Sequence, residues 1–185
     1  MSTFRVWLSA FLYASLLGSN GALADPEAER VSETQIKAAF LYNFTRFVEW
    51  PAGTFQSKSH AIVIGILGEG PLAADLTAIV AGRRVNGREI VVTSVRGADE
   101  VAQAQMLFVS ENADGQFDSL QMFIQESPVL TVGESPAFAA ASGAIVFVRQ
   151  NGKLRFEINM TAAERAHLKV SGELQKLAAA VRRTP

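Results

Sequence analysis

Four short runs of aliphatic and β-branched residues recur along the chain: "AIVIGIL" at 61–67, "EIVVTSV" at 89–95, "QMLFVS" at 105–110 and "VLTVG" at 129–133. Each is followed by a turn and then by a stretch with helical spacing. Runs this short and this apolar fit strands covered on both faces. Strands that alternate with helices of about ten residues build parallel sheets, because a parallel pair needs a long crossover. The pattern predicts an α/β protein, a layered α/β sandwich with a mainly parallel sheet in which "AIVIGIL" is central. The end of the chain differs. "GAIVFVRQNGKLRFEINM" reads as two strands joined at Asn151-Gly152, a dipeptide suited to a type I′ turn, which adds a C-terminal antiparallel hairpin at one edge.

The first helix is announced by Ser32 and Gln35, a capping box, and by Ile36, Phe40, Phe44 and Phe47 at helical spacing, with Leu41 and Val48 widening the stripe. Lys37, Thr45 and Glu49 fall where the helix exits to solvent. Asn43 falls on the stripe, so its carboxamide is expected to tie the helix to a neighbouring backbone rather than stay unpaired. The helix is expected to stop at Trp50, since Pro51 disfavours helical backbone before it. Lys37 has Glu157 or a helix carbonyl as expected partners. Further on, Pro71 opens a helix carrying Leu72, Leu76, Ile79 and Val80 and closed by Gly82. Asn86-Gly87 is a tight turn. Helices are predicted over 99–103, 116–125, 136–141, 162–167 and 172–181, the last capped by Ser171, with Arg182 and Arg183 complementing its carboxyl end.

A chain of 185 residues can bury a core without disulfides or metals. Seventeen basic against eighteen acidic residues leave a net charge of -1, so there is no global field for nucleic acid. The absence of cysteine removes thiol chemistry, and two separated histidines, His60 and His167, make no metal cluster. No cofactor or metal site is predicted. The first 24 residues are of another kind: Arg5, an apolar run from Val6 to Leu17, then Ala22-Leu23-Ala24. This reads as a secretory signal peptide over 1–24, cut before Asp25, and its apolar run falls short of the ~20 residues of a membrane span. Residues 25–185 read as one α/β domain, exported to the periplasm.

Two loops follow strands at the ends where open α/β sheets place ligands: Gly68, Glu69 and Gly70, and Ser110 and Glu111 with Asn112 and Asp114. The first matches neither the dinucleotide nor the P-loop fingerprint, and a plain turn accounts for it. A polar loop accounts for the second. Ser110 or Ser171 with His167 could be drawn as a triad, but neither serine stands in a nucleophile elbow, and no catalytic residue is assigned. Arg83, Arg84 and Arg88 gather at the Asn86-Gly87 turn as a solvated turn or, in the alternative, as a surface for a carboxylate-bearing partner.

The segments "IKAAFLYNFTRFVEWP", "IVIGILGEGPL", "GREIVV", "MLFVS" and the closing "GAIVFVRQNGKLRFEINMTAAERAHLKVSGELQKLA" together resemble the YfiR family of exported bacterial proteins. The most specific parts are Phe47, Trp50 and Pro51, and Gly143, Ile145, Phe147, Arg155, Phe156, Ile158 and Asn159. That resemblance implies a periplasmic α/β protein without catalytic activity. It implies a regulator, a repressor that binds the periplasmic domain of a membrane diguanylate cyclase or sensor kinase and so restrains cyclic di-GMP output and biofilm formation. It further implies a homodimer and an outer-membrane lipoprotein as a second partner. The family's disulfides have no counterpart here, since there is no cysteine. Trp50 and Phe55, aromatic and near element ends, are the candidate partner contacts. The alternative is a periplasmic solute-binding module or small hydrolase that uses the two loops.

Overall fold

The computed structural model describes residues 32–125, 127–141 and 143–183; the signal-peptide reading lies outside them. Helix α1 (Glu33–Phe47) comes first, then β1 (Val48–Glu49), β2 (Ile62–Leu67), α2 (Leu72–Val80), β3 (Arg84–Val85), β4 (Arg88–Val95), α3 (Ala98–Val101) and β5 (Met106–Val109). A single 3-10 turn leads into α4 (Asp114–Ile124), followed by β6 (Leu130–Gly133), α5 (Pro136–Ala140), β7 (Ile145–Gln150), β8 (Lys153–Asn159), α6 (Met160–Arg165), β9 (Lys169–Val170), α7 (Gly172–Leu177) and β10 (Ala180–Arg182). The main sheet has the order β10-β8-β7-β6-β5-β2-β4-β3. Pairing from β4 through β7 is parallel, and β7 with β8 and β3 with β4 are antiparallel. The predicted α/β sandwich with a mainly parallel sheet is therefore the observed class.

Alternation along the strands divides the apolar residues between two faces. Met106 and Phe108 of β5 join α1, α2 and α6 on one side. Leu107 and Val109 join Val101, Phe117, Leu120 and Phe138, from α3, α4 and α5, on the other. The first face is built around rings. Phe40, Phe44, Phe147 and Phe156 stand with centroids 5.1–6.1 Å apart, in edge, tilted and stacked arrangements. On the second face a Cβ on Gly143 would lie 2.0 Å from the Phe138 ring, so that position admits only glycine unless the ring moves.

Several expectations are corrected. Helix α1 stops at Phe47, three residues before Trp50, because Val48 and Glu49 leave the helix to pair with Val170 and Lys169. The capping box at Ser32 and Gln35 is present. Thr45, expected in solvent, is buried and donates its hydroxyl to the Tyr42 carbonyl at 2.6 Å, while Ile36 on the stripe is exposed. Asn43 is half-buried, and its carboxamide makes no hydrogen bond among the described residues.

The last helix ends at Leu177 rather than Val181. The open side of β8 offers unpaired backbone groups, and β10 takes them up in parallel register despite the helix-favouring alanines 178–180 that lead into it. The β7–β8 hairpin, with Asn151 and Gly152 at φ 51° and 72°, thus lies one strand in from the edge. Arg182 and Arg183 pair with Glu157 and Glu164 instead of a helix end.

Candidate functional site

The chain leaves β2 through α2 to reach β4 on one side, then returns through α3 to β5 on the other side of β2. Adjacent strands whose connections depart in opposite directions leave a crevice at their carboxyl ends, the usual ligand position of open α/β sheets. Here the two loops singled out from the sequence come together. Asn112 donates its side-chain amide to the Glu69 carbonyl at 3.2 Å. Gly68 has φ 99°, and a Cβ there would lie 2.5 Å from the Asn112 side-chain oxygen and 2.8 Å from Ser110 Cβ, so glycine lets the loops touch. Between them and α1 lies a crevice of about 390 Å³, lined by Lys37, Glu69, Gly70, Ser110, Glu111 and Glu134 among others.

Electrostatics there turn on a lysine that the sequence pattern placed in solvent. Lys37 Nζ lies 2.5 Å from a Glu134 oxygen and 2.9 Å from Glu33, one helical turn back, with its side chain only 15% exposed. Glu33 also meets Arg149. Neither Glu157 nor a helix carbonyl is the partner; Glu157 holds Arg182. Burial disfavours the ammonium, but the hydrogen bonds it donates to Glu134 and Glu33 outweigh that and raise the Lys37 pKa above its ordinary value. The hydrogen bond from Lys37 holds the Glu33 carboxyl below its ordinary value, against the cost of partial burial. The second oxygen of Glu134 accepts the Glu111 N–H at 3.3 Å, which ties the loop after β5 to the loop after β6. Ser110 is 9% exposed and lines the crevice, and its hydroxyl has no hydrogen-bond partner among the described residues.

The other candidates lie at the opposite end of the sheet, where β5 begins. Trp50 is half-buried and donates its indole N–H to the Gln105 carbonyl at 3.0 Å. Phe55 packs edge-on against Trp50 at 6.3 Å and His60 at 6.0 Å, and the Arg88 guanidinium lies 3.9 Å from its centroid. Arg88 also donates to the carbonyls of Ser57 and His60. Both aromatics therefore hold the 51–60 loop against the sheet. Sequence reasoning missed Gln105, which is buried and accepts the Val63 N–H at 2.8 Å on its side chain. It also missed Glu134, which follows the last glycine of "VLTVG". A polar residue directly before or after an apolar strand was the available signal. Ser171 spends its hydroxyl on the Leu174 N–H, and His167, at φ 57°, closes α6; the triad sketched from sequence has no geometry here.

The sequence profile of the YfiR/HmsC-like family matches residues 34–179, from α1 through α7. The chain belongs to that family. No curated protein is significantly similar to it. Among solved structures, the ABC domain in complex with L-Trp from Streptococcus pneumonia superposes with a TM-score of 0.52 at 13% identity, over 80% of this chain and 60% of that one. A conserved domain protein from Vibrio cholerae gives 0.47 at 12%, over 82% and 61%. The chain thus spans about three fifths of the length of each, and what the first shares with the family member described here is its fold.

Proposed function

We propose that this protein is a periplasmic regulator that binds the periplasmic part of an inner-membrane signalling enzyme and restrains a diguanylate cyclase, lowering cyclic di-GMP. The observation that carries this reading is the family match from α1 to α7. The signal-peptide pattern over 1–24 supports export, and no described helix is long and apolar enough to cross a membrane. The described residues fall in one compact unit, in keeping with a single domain after the signal peptide. In this reading the protein acts by contact and not by catalysis. Trp50 and Phe55 act from the loop they anchor. The homodimer and the outer-membrane lipoprotein belong to the same reading. The direct test is binding of the purified chain to the periplasmic segments of membrane diguanylate cyclases from the same organism, together with cyclic di-GMP measured after deletion. Saturable binding and a rise in cyclic di-GMP are expected; neither occurring would overturn the proposal.

A second reading, a small solute-binding module, is favoured by one observation: the unpartnered Ser110 hydroxyl in a crevice at the sheet's topological switch point. A thermal-shift screen with small periplasmic metabolites separates the two. A strong, saturable shift that Ser110→Ala and Lys37→Met both abolish would favour the solute-binding module.

A further inference from the structure

Strand β4 carries the run Ile90–Val95, "IVVTSV", with no charge and no proline. One side of it is fully paired to β2, residue for residue and without a bulge. On the other side β3 covers only Arg88 and Glu89, and among the described residues no strand pairs with 90–95. The hairpin fixes which groups face outward. In a two-residue hairpin the pair flanking the turn, Val85 with Arg88, exchanges both hydrogen bonds. Alternation then turns the N–H and C=O of Ile90, Val92 and Ser94 toward the open side. The one local substitute is a long contact of 3.4 Å from the Thr93 hydroxyl to the Ser94 carbonyl. Native sheets blunt such edges with charge, proline, a bulge or a covering element, and among the described residues this stretch has none of them. A groove of about 620 Å³ runs beside it, between Ile90–Val92 and the last turn of α2 at Thr77, Val80 and Ala81.

We propose that this edge receives an extended segment of another protein as an added strand, and that the segment carries acidic residues at the end lying against the β3–β4 hairpin. Arg83, Arg84 and Arg88 surround that end, and among the described residues only Arg84 of the three is ion-paired, to Glu89. Arg83 lies 5.0 Å from the Tyr42 ring and Arg88 lies over Phe55, and neither guanidinium has a carboxylate partner among the described residues. A second copy fits poorly. The two-fold antiparallel register that uses all three outward residues centres on Val92. It puts the second copy's Val95 opposite Glu89, where Arg84 already pairs, and its Arg96 opposite Arg88. Like charges facing across strands destabilise the pairing. Main-chain bonds along such an edge supply affinity, and alternate side chains in the groove supply selection. The inference does not depend on the partner being a cyclase.

The test is selection of random peptides displayed on phage against the purified protein, followed by titration of synthesised winners and amide hydrogen exchange. Winners should alternate apolar and polar residues, carry Asp or Glu at one end, and slow exchange of the Ile90, Val92 and Ser94 amides. Methylating the winner's backbone nitrogens should abolish binding without touching the protein. Val92→Pro should also abolish it, and Arg83→Glu should weaken it about tenfold, or ~1.4 kcal/mol. Winners that leave those amides exchanging freely, or no winners at all, would overturn the proposal. So would amides already protected in the free monomer, or protection that grows with protein concentration, the signature of a second copy.

Discussion

At its amino end helix α1 is fixed by charge, with Lys37 holding Glu33 and Glu134, whereas the chain just past its carboxyl end is fixed by rings, with Trp50, Phe55 and the Arg88 guanidinium packed together near the start of β5. The two arrangements do the same mechanical work, docking α1 across the parallel strands, but they respond to different conditions. A charged network in a partly open crevice depends on pH and salt, and on whatever enters the crevice. Ring packing with one indole hydrogen bond rests on no ion pair among the described residues and responds far less to them. The carboxyl end of the sheet is thus the adjustable end of the molecule, and the amino end is the fixed one.

The sharpest way to break this contrast is Trp50→Ala. Truncating a large, half-buried ring leaves a void beneath the 51–60 loop and should cost about 3 kcal/mol, toward the lower end of the usual range for core aromatics. Urea denaturation measures it, and the loss should be the same at pH 5 and pH 9. At the other end, Lys37→Met leaves Glu33 and Glu134 without their shared cation and should cost about 2 kcal/mol, less than a fully buried pair because the crevice admits water. The double variant Lys37→Met with Glu134→Met should recover most of that loss. The pH dependence has a definite sign. Glu33 has a lowered folded value, so its contribution is present above the ordinary glutamate pKa and is lost as pH falls through the folded value. Lys37 has a raised folded value, so its contribution is present below the ordinary lysine pKa and is lost as pH rises through the folded value. Lys37→Met should flatten both limbs of the stability profile, and Trp50→Ala neither.

This asymmetry was only half legible in the sequence. Alternating apolar runs gave the strands and their parallel order, because both depend on local composition and on the length of the connections. The loops at Gly68–Gly70 and Ser110–Glu111 could be placed at strand ends for the same reason. The partner of Lys37 could not, since Glu134 is 97 residues away and meets it only once α1 has crossed the sheet. Periodicity also misled at Thr45, because a hydroxyl can be buried when it bonds back to the carbonyl three residues earlier. It misled again after Leu177, where the alanines favour helix but the backbone of β8 decides. Trp50 carried the clearest local signal and the least clear role. An aromatic residue before a proline marks the end of an element, but only the fold shows its indole on Gln105.

Trp50→Phe isolates that last contact. It keeps most of the ring and removes the N–H, and the Gln105 carbonyl still accepts the Leu130 N–H at 2.9 Å, so no buried acceptor is orphaned. The cost should therefore be about 0.5–1 kcal/mol, the net worth of one hydrogen bond, and not the larger penalty of an unsatisfied group.

Arg149→Ala is expected to be the mildest change. The Arg149 side chain is 65% exposed and meets a carboxylate that Lys37 already neutralises, so its loss should cost under about 0.5 kcal/mol and vanish in high salt. A larger, salt-resistant loss would mean that the charged end is a rigid four-member lock. It would then resemble the ring-packed end, and the difference between the two ends of α1 would be one of chemistry only and not of response.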